Sequence, residues 1–258
     1  MNTQTFLDFG LQTVIKSRAL IKQKSVTGFS VSIKDDDSPV TEVDRETEQL
    51  VRNEIEKKFP THSIVGEEFG VINQNAEFKW YIDPIDGTIS FSHGIPLYGT
   101  ILALYQNDIP LVGIIDHPGL DLCYYAAKGL GTFCNETRIT MKDIGSLSEL
   151  SREIIATGDL KQFELSGTMD AYNNLLSKHQ LVRTIPDCFG HTLAAKGAVG
   201  AMVDFHINDW DVAATQIIIE EAGGKFVTTK RTQSTDGKMK HNIICGKPKV
   251  VDYLTQIF

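Results

Sequence analysis

The sequence predicts an α/β protein in which an α+β first half precedes a second half of alternating strands and helices. Two patterns carry that expectation. Between residues 98 and 126, three apolar strand-like runs follow one another with short turns between them, and between residues 153 and 224 strand-like and helix-like segments alternate. The chain has 258 residues, 41% of them hydrophobic and 22% charged, enough for a sizeable core. No apolar stretch is long enough to span a bilayer and no early apolar run is flanked by basic residues, so a cytoplasmic protein with no membrane partner is expected. A formal charge of −8 argues against nucleic acid as a partner, because phosphate backbones are held by clustered Lys and Arg. Cys123, Cys134, Cys188 and Cys245 lie far apart with no CxxC pair and read as buried free thiols.

Taken in order, residues 6–24 place Leu7, Leu11, Val14, Ala19 and Ile21 at helical spacing, which predicts an amphipathic helix packed on the core. Residues 28–34 alternate as a strand and lead into Asp35, Asp36 and Asp37. Those acids read as a solvated loop rather than a metal site, since consecutive side chains diverge and like charges repel. Asp44 opens an amphipathic run that Pro60 ends, so it is expected at a helix cap or first turn. Residues 62–66 form a short strand ending in Glu67 and Glu68, read either as a solvated pair or as acids that share a cation with the next motif.

That motif is WYIDPIDGT, residues 80–88. Its apolar start reads as the end of a buried strand. Pro84 and Gly87 are expected to stop the strand, leaving Asp83 and Asp86 on a tight turn with the Ile85 carbonyl beside them. Three hard oxygens aimed at one point suit Mg2+, and Thr88 after a glycine is expected to cap a helix whose free amides attract an anion. An Asx-turn with no ligand fits the same residues.

Residues 98–105, 111–116 and 122–126 then read as an antiparallel meander, with His93 and His117 in its loops. Composition turns polar over residues 143–151, which divides the chain into halves at 1–145 and 146–258. In the second half, strands are expected at 153–157, 181–185 and 201–205 and helices at 169–179, 190–196 and 208–224. Asp211 lies in the first turn of the last helix, where a carboxylate complements the dipole.

GEEFG (66–70), WYIDPIDGT (80–88) and WDVAA (210–214), with KDDDSPVTEVD (34–44) upstream, together resemble the inositol monophosphatase family of Mg2+-dependent phosphomonoesterases, over nearly the whole chain. The resemblance implies a layered αβαβα sandwich and a homodimer. It also implies two to three Mg2+ ions, with Glu67, Asp83 and the Ile85 carbonyl at one, Asp83, Asp86 and Asp211 at a second, and Glu67 touching a third. Thr88, bonded to Asp44, would orient the attacking water, and the Gly87 and Thr88 amides would hold phosphate. The substrate implied is a small phosphomonoester. ISFSHGIPLYGTILAL (89–104), DCFGHTLAAKG (187–197) and MVDFHINDWD (202–211) look more like the histidinol-phosphatase branch, with Asp187 and Asp204 lining the alcohol side. Carboxylates there suit the ammonium and imidazole of histidinol phosphate. Inositol 1-phosphate and nucleotide bisphosphates are the alternatives, and a catalytically silent ligand-binding homologue is the rival from another class. The rival predicts loss of a ligand acid or of Thr88, and all are present.

Overall fold

Helix α1 (Thr3–Thr27) opens the chain, which a computed structural model describes over residues 2–34, 38–234 and 237–258. Asn2 caps the helix by accepting from the Thr5 amide, and Phe6, Leu7, Val14 and Ile21 turn inward, while Ala19 of the expected stripe faces out. A two-stranded ribbon, β1 (Val31–Ile33) with β2 (Pro39–Thr41), follows, so the strand expected at 28–34 is confined to its last part. Asp35, Asp36 and Asp37 lie outside the described residues. Helix α2 (Glu42–Lys58) begins with a capping box in which Thr41 and Asp44 bond reciprocally, and it ends at Phe59 because Pro60 disfavours helical backbone before it.

The first large sheet holds β3 (Ser63–Gly66), β4 (Gly70–Ile72), β5 (Phe78–Asp86), β6 (Gly99–Gln106), β7 (Ile109–His117), β8 (Leu122–Ala127), β9 (Gly131–Cys134) and β10 (Thr137–Ile139), in the order β10-β9-β8-β7-β6-β5-β3-β4. The expected meander is β6 to β8, and it continues into β9 and β10, which were not anticipated. His117 is the buried last residue of β7 rather than a loop residue, and His93 is the exposed residue closing the short helix α3 (Thr88–Ser92).

The second sheet, β12-β11-β13-β15-β14, is mixed. Strands β11 (Ile155–Thr157), β12 (Val182–Thr184) and β13 (Ala201–Asn208) run parallel, whereas β14 (Lys225–Gln233) and β15 (Met239–Gly246) form an antiparallel edge that strand and helix alternation did not foretell. Its helices are α4 (Leu160–Ser166), α5 (Met169–Lys178), α6 (Asp187–Ala195), α7 (Asp209–Val212), α8 (Thr215–Glu221) and α9 (Pro248–Leu254). The single helix expected at 208–224 is therefore two: Ala213 and Ala214 keep right-handed dihedrals, but the hydrogen-bond ladder is interrupted between α7 and α8. The thiols are free as expected, but only Cys188 and Cys245 are buried; Cys123 and Cys134 are half-buried.

Three apolar clusters define the layering. One packs α1 and α2 (Val14, Ile55) on the outer face of the first sheet (Trp80, Ile114). The next joins that sheet's inner face to α6, α8 and the second sheet through Ile101, Ala194, Ile218 and Cys245. The last covers the far face of the second sheet with α4, α5 and α9. The order is α, β, α, β, α, the sandwich the resemblance implies.

One irregularity places the site. Strand β5 does not stop at Pro84 but runs to Asp86 through a bulge: Asp83 pairs with Ile101 and Asp86 with Gly99. Proline is tolerated there because a bulge releases one residue from the ladder, and the Thr100 hydroxyl donates to the Pro84 carbonyl at 2.8 Å. In a regular strand, residues three apart face opposite ways. The extra residue brings Asp83 and Asp86 to the same face.

Candidate active site

Asp83, Asp86 and Asp211 each present a carboxylate oxygen within 4.8 Å of the other two. Two come from the bulged end of β5 and the third from the first turn of α7, across the junction of the two sheets. One oxygen of Asp211 accepts from the Asn208 amide (2.7 Å) and side chain (3.1 Å), and Asp86 Oδ2 accepts from the Cys188 amide. Asp83 is only 2% exposed, and its Oδ1 has no hydrogen-bond partner among the described residues. A buried carboxylate oxygen left unpaired among other acids calls for a cation. The all-oxygen donor set fits a hard one such as Mg2+.

Electrostatics agree. Burial pushes the carboxyls of Asp83 and Asp86 well above the usual range; Glu67 next raises Asp83, and Asp187 and Asp211 raise Asp86. Glu67 lies in the same cavity wall and is pushed from 4.5 up to about 7 by burial and Asp211, against the opposing effect of Lys34. It is not one of the three converging carboxylates: its Oε1 accepts from Lys34 Nζ at 2.8 Å, and Lys34 also holds Glu68. The turn bearing Glu67 is clamped by buried Glu48, which accepts from the amides of Glu68 (2.7 Å) and Phe69 (3.1 Å) while bonded to Arg52. Gly66 is required beneath it, because a Cβ there would lie 2.0 Å from Glu48 Oε1.

Beside the triad, Gly87 caps α3 with φ 87°, a left-handed conformation, and its missing Cβ leaves room for Asp187 Oδ2 and the Leu97 carbonyl. Thr88 is the first helical residue rather than the cap, and no side chain caps α3, which corrects the expectation for it. The Thr88 hydroxyl lies 3.0 Å from the Ile85 carbonyl and 3.2 Å from Asp44 Oδ1, either of which it can donate to. Asp44 Oδ2 is occupied by the Thr41 amide and hydroxyl at 2.8 and 2.6 Å. Burial raises the Asp44 carboxyl despite those bonds. A cavity of about 320 Å3 joins Glu67, Asp83, Asp86, Thr88, Asp187 and Asp211.

The inositol monophosphatase family model matches residues 2–256. The chain belongs to the inositol monophosphatase family. This is a metal-dependent family of phosphomonoesterases, hydrolases that act on small phosphate monoesters. The histidinol-phosphatase of Chlorobaculum parvum is 38% identical over 202 residues, covering 78% of this chain and 76% of that protein. The histidinol-phosphatase of Mycobacterium tuberculosis is 31% identical, covering 77% of each. Among solved structures, inositol monophosphatase from Anabaena superposes with a TM-score of 0.82 at 30% identity, covering 100% of this chain and 96% of that one. No described helix is long and apolar enough to cross a membrane.

Within this cleft the second-half acids separate. Asp187 lies in the wall with φ 58°, a left-handed conformation that asparagine and aspartate tolerate better than most residues. Burial, with Asp204 and Asp159 nearby, pushes its carboxyl up to about 7. Asp204 does not line the cleft, contrary to expectation. It is 3% exposed and bonded to His191 Nε2 at 2.9 Å, because β13 points it into the layer between sheet and α6. Asp159 and Gln162, at the start of α4, do line the cleft and were not singled out from the sequence. The cue available was the Gly158-Asp159 step directly after a short apolar strand.

These shifts predict a pH-dependent response to magnesium. A carboxyl whose folded value is raised supports the fold below its unfolded value and loses that contribution as pH rises through the folded one. For Glu67 the window is 4.5 to about 7. Bound cations need the deprotonated forms, so the rise in Tm on adding Mg2+ should be small near about pH 5 and grow through about pH 7. Comparing two pH values with and without Mg2+ cancels the opposing contribution of buried His117, whose imidazole burial pushes down to about 4. A magnesium-induced rise that is flat or shrinks with pH contradicts the assignment.

Proposed function

We propose that this phosphatase hydrolyses histidinol phosphate to histidinol and phosphate, with water as nucleophile and two to three Mg2+ ions as cofactor. The observation that carries the reading is the convergence of Asp83, Asp86 and Asp211 within 4.8 Å, in one cavity with Thr88 and Asp187. Asp83, Asp86 and Asp211, with Glu67 and the Ile85 carbonyl, would hold the metal. Magnesium supplies positive charge against the phosphate dianion and acidity to water when bound. Thr88 orients the water: with its own proton given to Asp44 Oδ1, its lone pairs are free to accept from the nucleophile, and raised basicity suits Asp44 to take up a proton. The Gly87 and Thr88 amides, at the start of α3, would hold the phosphate oxygens. The P–O bond to the alcohol breaks, and the alcohol leaves with a proton from solvent. Lys34 holds Glu67 through Oε1, so Oε2 is the oxygen Glu67 would offer as a ligand.

For the alcohol, Asp187 in the wall and the histidinol-phosphatase relatives favour a cationic group over a polyol. Inositol 1-phosphate is the second reading, supported by neutral Ser90 and Asn208 in the same wall. The test is kcat/KM with Mg2+ for histidinol phosphate, inositol 1-phosphate and an adenosine bisphosphate. Histidinol phosphate should lead, and Asp187→Ala should lower its value more than that of inositol phosphate, by roughly tenfold for one charge-assisted bond. A lead for inositol phosphate, or equal losses in the variant, overturns the substrate.

A further inference from the structure

We infer that the part of the cleft lined by Asp159, Gln162 and Asp187 is an acceptor-rich pocket for a positively charged alcohol, in which Asp159 and the Gln162 carbonyl oxygen determine specificity and Asp204 is the positioning residue that turns Gln162. This deepens the phosphatase reading and rests on it. The argument begins with Asp204. One of its oxygens accepts from His191 Nε2 at 2.9 Å, and His191 is itself held through Nδ1 by Thr215 at 2.9 Å. The other, Oδ1, lies 2.9 Å from the Gln162 amide nitrogen, in the orientation that also lets that nitrogen donate to the Phe205 carbonyl at 3.1 Å. Both amide protons of Gln162 are then spent on buried acceptors. Only its carbonyl oxygen remains for the cleft, whose wall includes Gln162.

Asp159 is the second group. It stands at the N-cap of α4, where an aspartate usually accepts from the first-turn amides, yet its side chain makes no such bond. It lies in the cleft wall with Gln162 and Asp187, and no Lys or Arg is among the described residues of that wall. In the same cleft Asp83 Oδ1, buried and unpartnered among the described residues, would claim the cation and with it the phosphate. The alcohol therefore meets the Asp159 carboxylate, the Asp187 carboxyl and a carbonyl, with no cationic donor among them. An ammonium or imidazolium gains charge-assisted bonds there, a polyol gains weaker ones, and a second phosphate or a carboxylate is repelled.

The test compares kcat/KM of the magnesium-loaded protein for three esters: histidinol phosphate, ethanolamine phosphate as a minimal cationic alcohol, and glycerol phosphate as a neutral one. Asp159→Asn should lower the ratio of ethanolamine phosphate to glycerol phosphate about tenfold, mainly through KM, as expected for one charge-assisted bond. Asp204→Asn, whose amide faces Gln162 with a donor, should lower the same ratio. Should that variant fail to fold, Asp159→Asn and Gln162→Met decide alone. Equal losses on cationic and neutral esters in both overturn the inference, even if the wild type prefers histidinol phosphate. A wild type that ignores histidinol phosphate while Asp159→Asn still shifts the ethanolamine-to-glycerol ratio removes the substrate reading and leaves the pocket standing.

Discussion

Asp83→Asn is expected to lower kcat/KM by about 10^3 or more while making the metal-free protein more stable. The two effects have one cause. Asp83 is buried with an oxygen that no donor satisfies, and Glu67, Asp86, Asp211 and Asp44 all push its carboxyl upward. Without metal that arrangement costs folding energy, so an isosteric neutral amide relieves repulsion from every side. Asp83 would be one of the three carboxylates that hold the metal, and its removal would forfeit charge stabilisation worth several kcal/mol in the transition state, at about 1.4 kcal/mol per tenfold. Phosphate release and Tm, each with and without Mg2+, separate the contributions. The wild type should gain Tm on adding Mg2+ and the variant should gain little, starting from a higher metal-free value. Near-normal turnover, or an undiminished magnesium-induced rise, would remove Asp83 from the metal site.

The same residue shows where the sequence could and could not be read. The apolar run of Trp80, Tyr81 and Ile82 announces a buried strand, and Pro84 with Gly87 announces its disruption, but whether disruption means a turn or a bulge depends on the neighbouring strand. Gly99 and Ile101 pair with Asp86 and Asp83 and keep β5 in the sheet, a fact no local pattern in residues 80–88 contains. Asp211 was legible as a first-turn acid because capping is local. Asp204 was not. Its position in β13 says only that it alternates with its neighbours, and whether it meets the cleft or His191 is settled by α6 packing against that face. Lys34 and Glu48 illustrate the same limit: one reaches Glu67 and Glu68 across the ribbon, the other clamps the following turn from a helix, and both partnerships are tertiary. Asp159 and Gln162 escaped notice because α4, with Leu160, Phe163 and Leu165 around a polar remainder, is too short to show a helical period.

Thr88→Ala and Asp44→Asn are each expected to lower kcat by about 10^2 to 10^3-fold, and the double variant should lose no more than the worse single one. The geometry makes the two residues one unit. A threonine hydroxyl has a single proton, and here it has two possible acceptors, Asp44 Oδ1 at 3.2 Å and the Ile85 carbonyl at 3.0 Å. Were the Ile85 oxygen to hold a cation, Asp44 would be the acceptor left, and the hydroxyl would then present its lone pairs to water. Removing the hydroxyl leaves Asp44 with nothing to act through, and making Asp44 an amide removes the charged acceptor that orients the hydroxyl. Thr88→Ser, which keeps the proton and both lone pairs, should recover most of the rate. Asp44→Asn also loosens the α2 capping box, since Asp44 Oδ2 accepts from Thr41, so a stability loss of about 1 kcal/mol is expected for that variant alone. The cycle is read from kcat at saturating Mg2+ and substrate, with Tm as the control for the cap. Losses that multiply in the double variant would mean that Thr88 and Asp44 act independently, and the water-orienting pair would have to be abandoned.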